Sequence, residues 1–184
     1  MKKIILGLAG EMASGKSTVA KYIAEKYEGE VFRFSNILRD ALGRIHKDNS
    51  RENLQMMSTM LRETYGEDVL ARAMASDAKN AVSDIIAVDG VRRLGDIEHL
   101  KRLDGFYLVY LEADIKKCHE RLAVRGENID DNGKTFEEFK KDRAREAERQ
   151  ITKLKKHADI IIDNNSDLNS LYKSVDKFIE KVKQ

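Results

Sequence analysis

The run Gly10-Glu11-Met12-Ala13-Ser14-Gly15-Lys16-Ser17 matches, at every fixed position, the pattern of a loop that cradles phosphate. Glycines at both ends and small residues between them let the backbone N–H groups turn inward on an anion, with the positive end of the following helix behind them. Lys16 then reaches the β and γ phosphates, Ser17 offers a hydroxyl to Mg²⁺, and Thr18 is a secondary contact. Gly10, Ala13, Ser14, Gly15, Lys16, Ser17 and Thr18 are therefore the expected nucleotide-binding set. A metal held at Ser17 needs a carboxylate nearby. The apolar run Ile85-Ile86-Ala87-Val88 ends in Asp89-Gly90, which makes Asp89 the expected metal partner of Ser17, acting through water.

These residues need a strand before the loop and a helix after it, and the pattern supplies both. Ile4 to Ala9 reads as a buried strand, and Val19, Ile23 and Tyr27 recur at helical spacing. Further strands are predicted at Val31 to Phe34, Ile85 to Asp89, Phe106 to Glu112 and Ala158 to Asp163. Most are apolar throughout, the mark of a parallel sheet covered on both faces. Strands alternating with helices imply an α/β layered fold. The stretch from Asn36 to about Val82 holds consecutive helical segments and no strand, so it reads as a helical insertion with Leu54, Met57 and Leu61 on its inner face. Phe136, Phe139, Ala147, Ile151 and Leu154 share another helical spacing. A last helix carries Leu168, Leu171, Tyr172, Val175, Phe178, Ile179 and Val182 on one side, with Asn164, Asn165 and Ser166 as its turn and cap candidates.

Composition narrows the classes. With 184 residues and a prior of about 150 per domain, one domain spanning 1–184 is expected. Hydrophobic residues at 41% are too many for a disordered chain. A net charge of +2 lacks the basic excess of a nucleic-acid binder, so small-molecule partners are expected and nucleic acid is not. The apolar stretch after Met1-Lys2-Lys3 is too short for a signal-peptide core, and no run approaches a membrane span. A single cysteine, Cys118, forbids an internal disulfide and fits a reducing, cytoplasmic setting; burial in packing is its expected role. His46, His99, His119 and His157 are too scattered for a local metal motif.

Taken together, the loop, Asp89 and the arginines that follow resemble the P-loop nucleoside monophosphate kinase superfamily, both adenylate kinase-like and dephospho-CoA kinase-like. The resemblance implies a three-layer P-loop NTPase fold with a five-stranded parallel sheet of order 2-3-1-4-5. It further implies an acceptor-binding insertion at about 36–82 and a short lid at about 121–145. It implies Mg-ATP as the phosphoryl donor and a nucleotide as the small-molecule acceptor. Ser35, Asn36 and Arg39 stand where such enzymes begin their acceptor-binding helices. Arg92, or Arg93 beside it, corresponds to the acceptor-side arginine that follows the strand aspartate. Arg121 and Arg125 match the helix entering the lid, with Arg143 and Arg145 on its second arm. Lys16, Arg92, Arg93, Arg121 and Arg125 are thus the expected catalytic cations, since phosphoryl transfer spreads negative charge over oxygens that cations stabilise. The segment Ile115–Lys156 carries 13 basic and 9 acidic residues, as a lid over anions requires.

The chain departs from the adenylate kinase-like pattern in having Ser35-Asn36 for Gly-Asp, no proline after Asp89 and few residues between Gly126 and Thr135. Transfer to a nucleoside or deoxynucleoside monophosphate is the leading expectation. The alternatives are dephospho-CoA kinase-like transfer to a hydroxyl, or a nucleotide switch with no small acceptor. A hydroxyl acceptor benefits from a nearby base, and Arg33-Phe34-Ser35-Asn36 has none, with Asp40 one turn further on. A switch has no reason to build an acceptor insertion.

Overall fold

The computed structural model describes residues 3–125, 135–143 and 146–183. Its frame is a five-stranded, all-parallel sheet: β1 (Ile4–Ala9), β2 (Glu30–Arg33), β3 (Ile85–Asp89), β4 (Phe106–Glu112) and β5 (Ile160–Asp163), in the spatial order β2-β3-β1-β4-β5. β1 is central and buried at every position, because helices cover both faces and no position is left for water. The chain winds outward from β1 in both directions, so the carboxyl end of β1 is the switch point where open α/β sheets bind ligands.

Alternation along the strands divides the apolar residues between two cores. Ile5, Ile86, Val88, Leu108 and Tyr110 face the layer built by α2 (Phe34–Arg44), α3 (Arg51–Tyr65), α4 (Val69–Asn80), α5 (Leu94–Glu98) and, further along the chain, α8 (Glu146–Leu154). Leu6, Leu8, Ala87, Val109 and Leu111 face α1 (Lys16–Tyr27) and α9 (Leu168–Lys183), which bring Val19, Ile23, Val175 and Ile179. Tyr22 and Tyr27 both donate to the Asp176 carboxylate, at 2.8 and 2.7 Å, and Tyr22 stacks on Tyr172 at 3.8 Å, fastening α9 to α1. A third, small cluster of Ala13, Cys118, Leu122 and Phe139 joins the phosphate loop to α6 (Ile115–Arg125) and α7 (Phe136–Arg143).

Several boundaries differ from expectation for identifiable reasons. β2 begins early because the Glu30 carboxylate accepts the N–H groups of Val82 and Ser83 at 2.6 and 2.8 Å, and Phe34 leaves the strand to enter the core as the first residue of α2. β5 begins late because the Asp159 carboxylate takes the Leu108 N–H that a strand partner would use. Both edge strands are less buried than the inner three. α9 is capped by Asp167, whose carboxylate accepts the Ser170 N–H at 3.0 Å, while Asn164 is buried and serves another purpose. The insertion is helical throughout its three segments, with Met57 buried and Leu54 and Leu61 packed against the core. The helical spacing expected from Phe136 to Leu154 is present in α7 and α8, on either side of 144–145, which lie outside the described residues. No helix among the described residues is long and apolar enough to cross a membrane.

Candidate functional site

The loop between β1 and α1 has the backbone that its glycines allow. Gly10 sits at φ 142, where a Cβ would lie 2.4 Å from the Leu111 carbonyl oxygen; Gly15 sits at φ 109, where a Cβ would lie 2.3 Å from Asn164 Nδ2. Both space and conformation therefore exclude larger residues. Ala13 adopts the left-handed region at φ 59, a strained choice for a residue with a Cβ. Lys16 curls back, its Nζ donating to the Gly10 and Glu11 carbonyls at 2.7 and 2.8 Å, and so stands over the loop rim.

Beneath the loop lies Asn164, from the end of β5. Its Nδ2 donates to the Ser14 carbonyl at 2.8 Å, its N–H goes to Glu112 O at 2.8 Å, and its own carbonyl accepts from Arg121 Nη2 at 2.9 Å. Residues 150 positions apart are thereby locked together.

Asp89 ends β3 at 7% exposure, level with Leu8 of β1 and Arg33 of β2. Ser17 Oγ donates to its Oδ2 at 3.4 Å, and Arg33 Nε lies 3.2 Å from the same oxygen. Ser17 and Asp89, predicted as a pair, are thus adjacent. Arg33 was not foreseen, since nothing in its local sequence links it to Asp89. Among the described residues no three His, Cys, Asp or Glu side chains gather to hold a metal. Two protein oxygens beside a phosphate loop suit Mg²⁺, which takes its remaining ligands from phosphates and water. The loop surroundings also fit an anion: Ser14 Oγ, Arg121 Nη1 and Arg143 Nη1 are buried and have no hydrogen-bond partner among the described residues, a costly condition unless a ligand satisfies them.

On the insertion side, Ser35 is half-buried and Asn36 and Arg39 are exposed along α2. Gly90, at φ 90, turns the chain after β3, and Arg92 and Arg93 follow on the way into α5. Asp96, 4% exposed, fixes this turn: its Oδ2 accepts the N–H groups of Arg92 and Arg93 at 2.9 and 3.1 Å. Its Oδ1 stands 3.9 Å from both Arg62 Nη2 and Arg93 Nε. Burial pushes the Asp96 carboxyl up, against the opposing pull of those N–H groups and guanidiniums. Burial lowers Arg62, helped by repulsion from Arg93. Arg93 is further engaged by Glu67 at 3.7 Å. The guanidiniums of Arg92 and Arg39, by contrast, make no hydrogen bond or ion pair among the described residues. Asp96 was missed, although an acid three residues after Arg93 at a helix start is a recognisable capping spacing. Asp40 is exposed on α2; burial, with the negative charge of Asp40 as a lesser cause, pushes the Asp77 carboxyl on α4 up.

On the lid side, Arg121 reaches back to Asn164, and Arg143, 13% exposed, pairs with the Glu11 carboxylate inside the loop. Phe139, fully buried against Cys118, Leu122 and Ala13, holds α7 in position for that pairing. Burial raises the Cys118 thiol, in keeping with a packing role. His119 packs against Phe136 and Phe139, and His99 bonds Asp68 at 2.8 Å. Arg125 ends α6 and its side chain lies outside the described residues, as do Arg145 and the segment 126–134.

A loop of this geometry at the switch point of a 2-3-1-4-5 parallel sheet defines a P-loop NTPase of the kinase-like type. A family model described as an AAA domain matches residues 9–137. The UPF0200 protein of Methanosarcina barkeri is 31% identical over 173 residues, covering 93% of this chain and 91% of its own. A UPF0200 protein of Saccharolobus islandicus strain L.S.2.15 is 30% identical over 182 residues, covering 98% and 94%. The chain belongs to the AAA-domain family of that model and to the UPF0200 proteins. Among solved structures, shikimate kinase from Bacteroides thetaiotaomicron aligns with a TM-score of 0.66 at 18% identity, covering 98% of this chain and 99% of that one. TT1252 from Thermus thermophilus aligns at 0.64 and 17%, covering 98% of each. At such identities these similarities speak to the fold alone.

Proposed function

We propose that this protein is an ATP-dependent phosphotransferase that moves the γ-phosphoryl group of Mg-ATP to the phosphate of a nucleoside or deoxynucleoside monophosphate. The observation that carries the reading is the contrast at the turn after β3. There Asp96 fixes the backbone, Arg93 is engaged by Asp96 and Glu67, and the guanidinium of Arg92, three residues after Asp89, has no partner among the described residues. Free arginine is suited to an anionic acceptor, which it grips bidentately.

In this reading the loop amides and Lys16 hold the donor phosphates, and Ser17 and Asp89 hold Mg²⁺, which neutralises charge on the donor. Arg121 and Arg143, whose Nη1 atoms lack partners among the described residues, complete the donor side, and Arg125 is assigned to the same group. Ser35, Asn36, Arg39 and Arg92 hold the acceptor, with the 36–82 insertion as its binding arm and 121–145 as the lid. A phosphate oxygen is already anionic at neutral pH and needs alignment, not deprotonation. This matters because the end of β2 offers Arg33 where a hydroxyl acceptor would want a carboxylate, and Asp40 lies further along α2.

The test is a panel assay of ADP formation from Mg-ATP with each nucleoside and deoxynucleoside monophosphate and with dephospho-CoA. At least one monophosphate should be phosphorylated and dephospho-CoA should not. Efficient use of dephospho-CoA with every monophosphate inert would overturn the reading, as would ATP hydrolysis indifferent to all acceptors.

A further inference from the structure

Arg33 ends an edge strand. Val31 packs into the core on the α1 side and Phe32 into the opposite one, so alternation sends the Arg33 side chain toward α1, on the same side as Asp89. There it borders a groove of about 460 Å³ lined by Ser17, Ala20, Lys21, Val31, Arg33 and Asn36. That volume lies within the range of small-molecule sites, about 300–1,000 Å³. The lining has two cations and two neutral polar side chains but no carboxylate, so it suits an anion. Ser17 is common to the groove and to the metal corner. Among the described residues Lys21 is tied only to Glu25, at 3.6 Å, and both side chains are largely exposed, so that pair holds it weakly.

We propose that Arg33 is a shared guanidinium: it neutralises Asp89 when no metal is bound, and turns to an acceptor phosphate in this groove once a divalent cation is held at Ser17 and Asp89. The inference deepens the phosphotransferase reading by adding an acceptor-binding residue to it. Its physical basis is that Ser17 and Arg33 address the same carboxylate oxygen, at 3.4 and 3.2 Å. A cation drawing on that oxygen competes with the guanidinium. With its side chain 41% exposed, Arg33 is free to swing outward, and a planar, permanently charged fork then meets phosphate bidentately. The consequence is coupling: filling the metal site increases the groove's affinity for phosphate, and an anion in the groove draws Arg33 away from Asp89.

The experiment compares the wild-type chain with Arg33→Gln by binding alone. Mn²⁺ affinity is read by electron paramagnetic resonance with a non-hydrolysable ATP analogue present. Inorganic phosphate binding is read by equilibrium dialysis with and without Mn²⁺ and that analogue. Arg33→Gln should bind Mn²⁺ roughly two- to fivefold more tightly, the scale of one partly exposed ion pair. It should also lose the increase in phosphate affinity that the wild type shows on filling the metal site, whereas Arg33→Lys, which keeps a charge, should retain part of it. Mn²⁺ binding that is unchanged or weaker in Arg33→Gln would overturn the proposal, as would equal phosphate binding in both chains. Cooperative thermal melts establish that all three chains fold; Arg33→Gln, which removes a partner of the buried Asp89 carboxylate, should lower Tm by a few degrees at most. If no monophosphate is ever phosphorylated, the functional reading fails, while these two binding differences still decide the role of Arg33.

Discussion

Asn164→Ala isolates one contact beneath the phosphate loop. It deletes the 2.8 Å bond from Nδ2 to the Ser14 carbonyl. The two bonds made by the Asn164 backbone, to Glu112 and from Arg121, do not involve the side chain and survive. A buried hydrogen bond contributes about 0.5–1.5 kcal/mol, and an acceptor left buried without a donor costs about 1–3 kcal/mol. The penalty already contains the lost bond, so the expected loss is about 1–3 kcal/mol, which for a chain of this size lowers Tm by roughly 2–12 °C. A loosened loop should also weaken nucleotide binding, by about tenfold if 1.4 kcal/mol of the loss falls on the bound conformation. Urea melts and titration with a fluorescent ADP analogue measure the two effects separately. Asn164→Asp should be worse at neutral pH, because it turns an ionised acceptor toward the Ser14 carbonyl. Its folded-state pKa is then raised, so its deficit shrinks in acid, where the protonated carboxyl can donate, and grows as pH climbs through that pKa. Gly15→Ala supplies the cross-check, since its Cβ meets Asn164 Nδ2 at 2.3 Å. It should cost less in the Asn164→Ala background than alone, with the strain of φ 109 remaining in both. A melt of Asn164→Ala within 1–2 °C of wild type (about 0.5 kcal/mol), together with strict additivity of the two changes, would refute the reasoning.

Lys16→Ala should leave the melt within a few degrees and lower turnover by about 10²-fold or more, the scale for losing one preorganised donor to developing charge; normal turnover would disprove the loop assignment. Arg92→Ala should raise the acceptor KM with little effect on stability. Arg93→Ala should destabilise as well, because it removes a partner of buried Asp96; parallel kinetics and urea melts distinguish the two. Glu30, held low chiefly by the Ser83 N–H, contributes stability above its unfolded value of about 4.3 that is lost as pH falls through the lowered folded pKa. Glu30→Gln should therefore be less stable at pH 7 and show a flatter acid limb in melts from pH 7 to pH 3.

How much of the site was legible depended on how local its interactions are. The phosphate loop was legible because strand, loop and helix are consecutive, so Gly10, Gly15, Lys16 and Ser17 carry their geometry in their order. Asp89 was legible as the polar end of an apolar strand. Arg92 and Arg93 could be listed but not separated, since their difference lies in what Asp96 and Glu67 occupy. The boundary errors at β2 and β5 arose from the carboxylates of Glu30 and Asp159, each taking N–H groups from a distant strand or turn, and an apolar count is blind to such bonds.

By itself, then, the sequence determined the layered α/β fold, the helical insertion and the chemistry of the loop, all properties of periodicity and short-range order. Only the tertiary structure decided which side chains share a carboxylate or a carbonyl. Arg33 meets Asp89 because β2 pairs with β3 in one register. Asn164 braces Ser14 because β5 ends level with the loop, and Arg143 finds Glu11 because Phe139 is buried between α6 and the loop. Each pairing joins residues far apart in the chain, and a charge or an amide has no periodicity that could announce its partner; strand order and helix docking supply it.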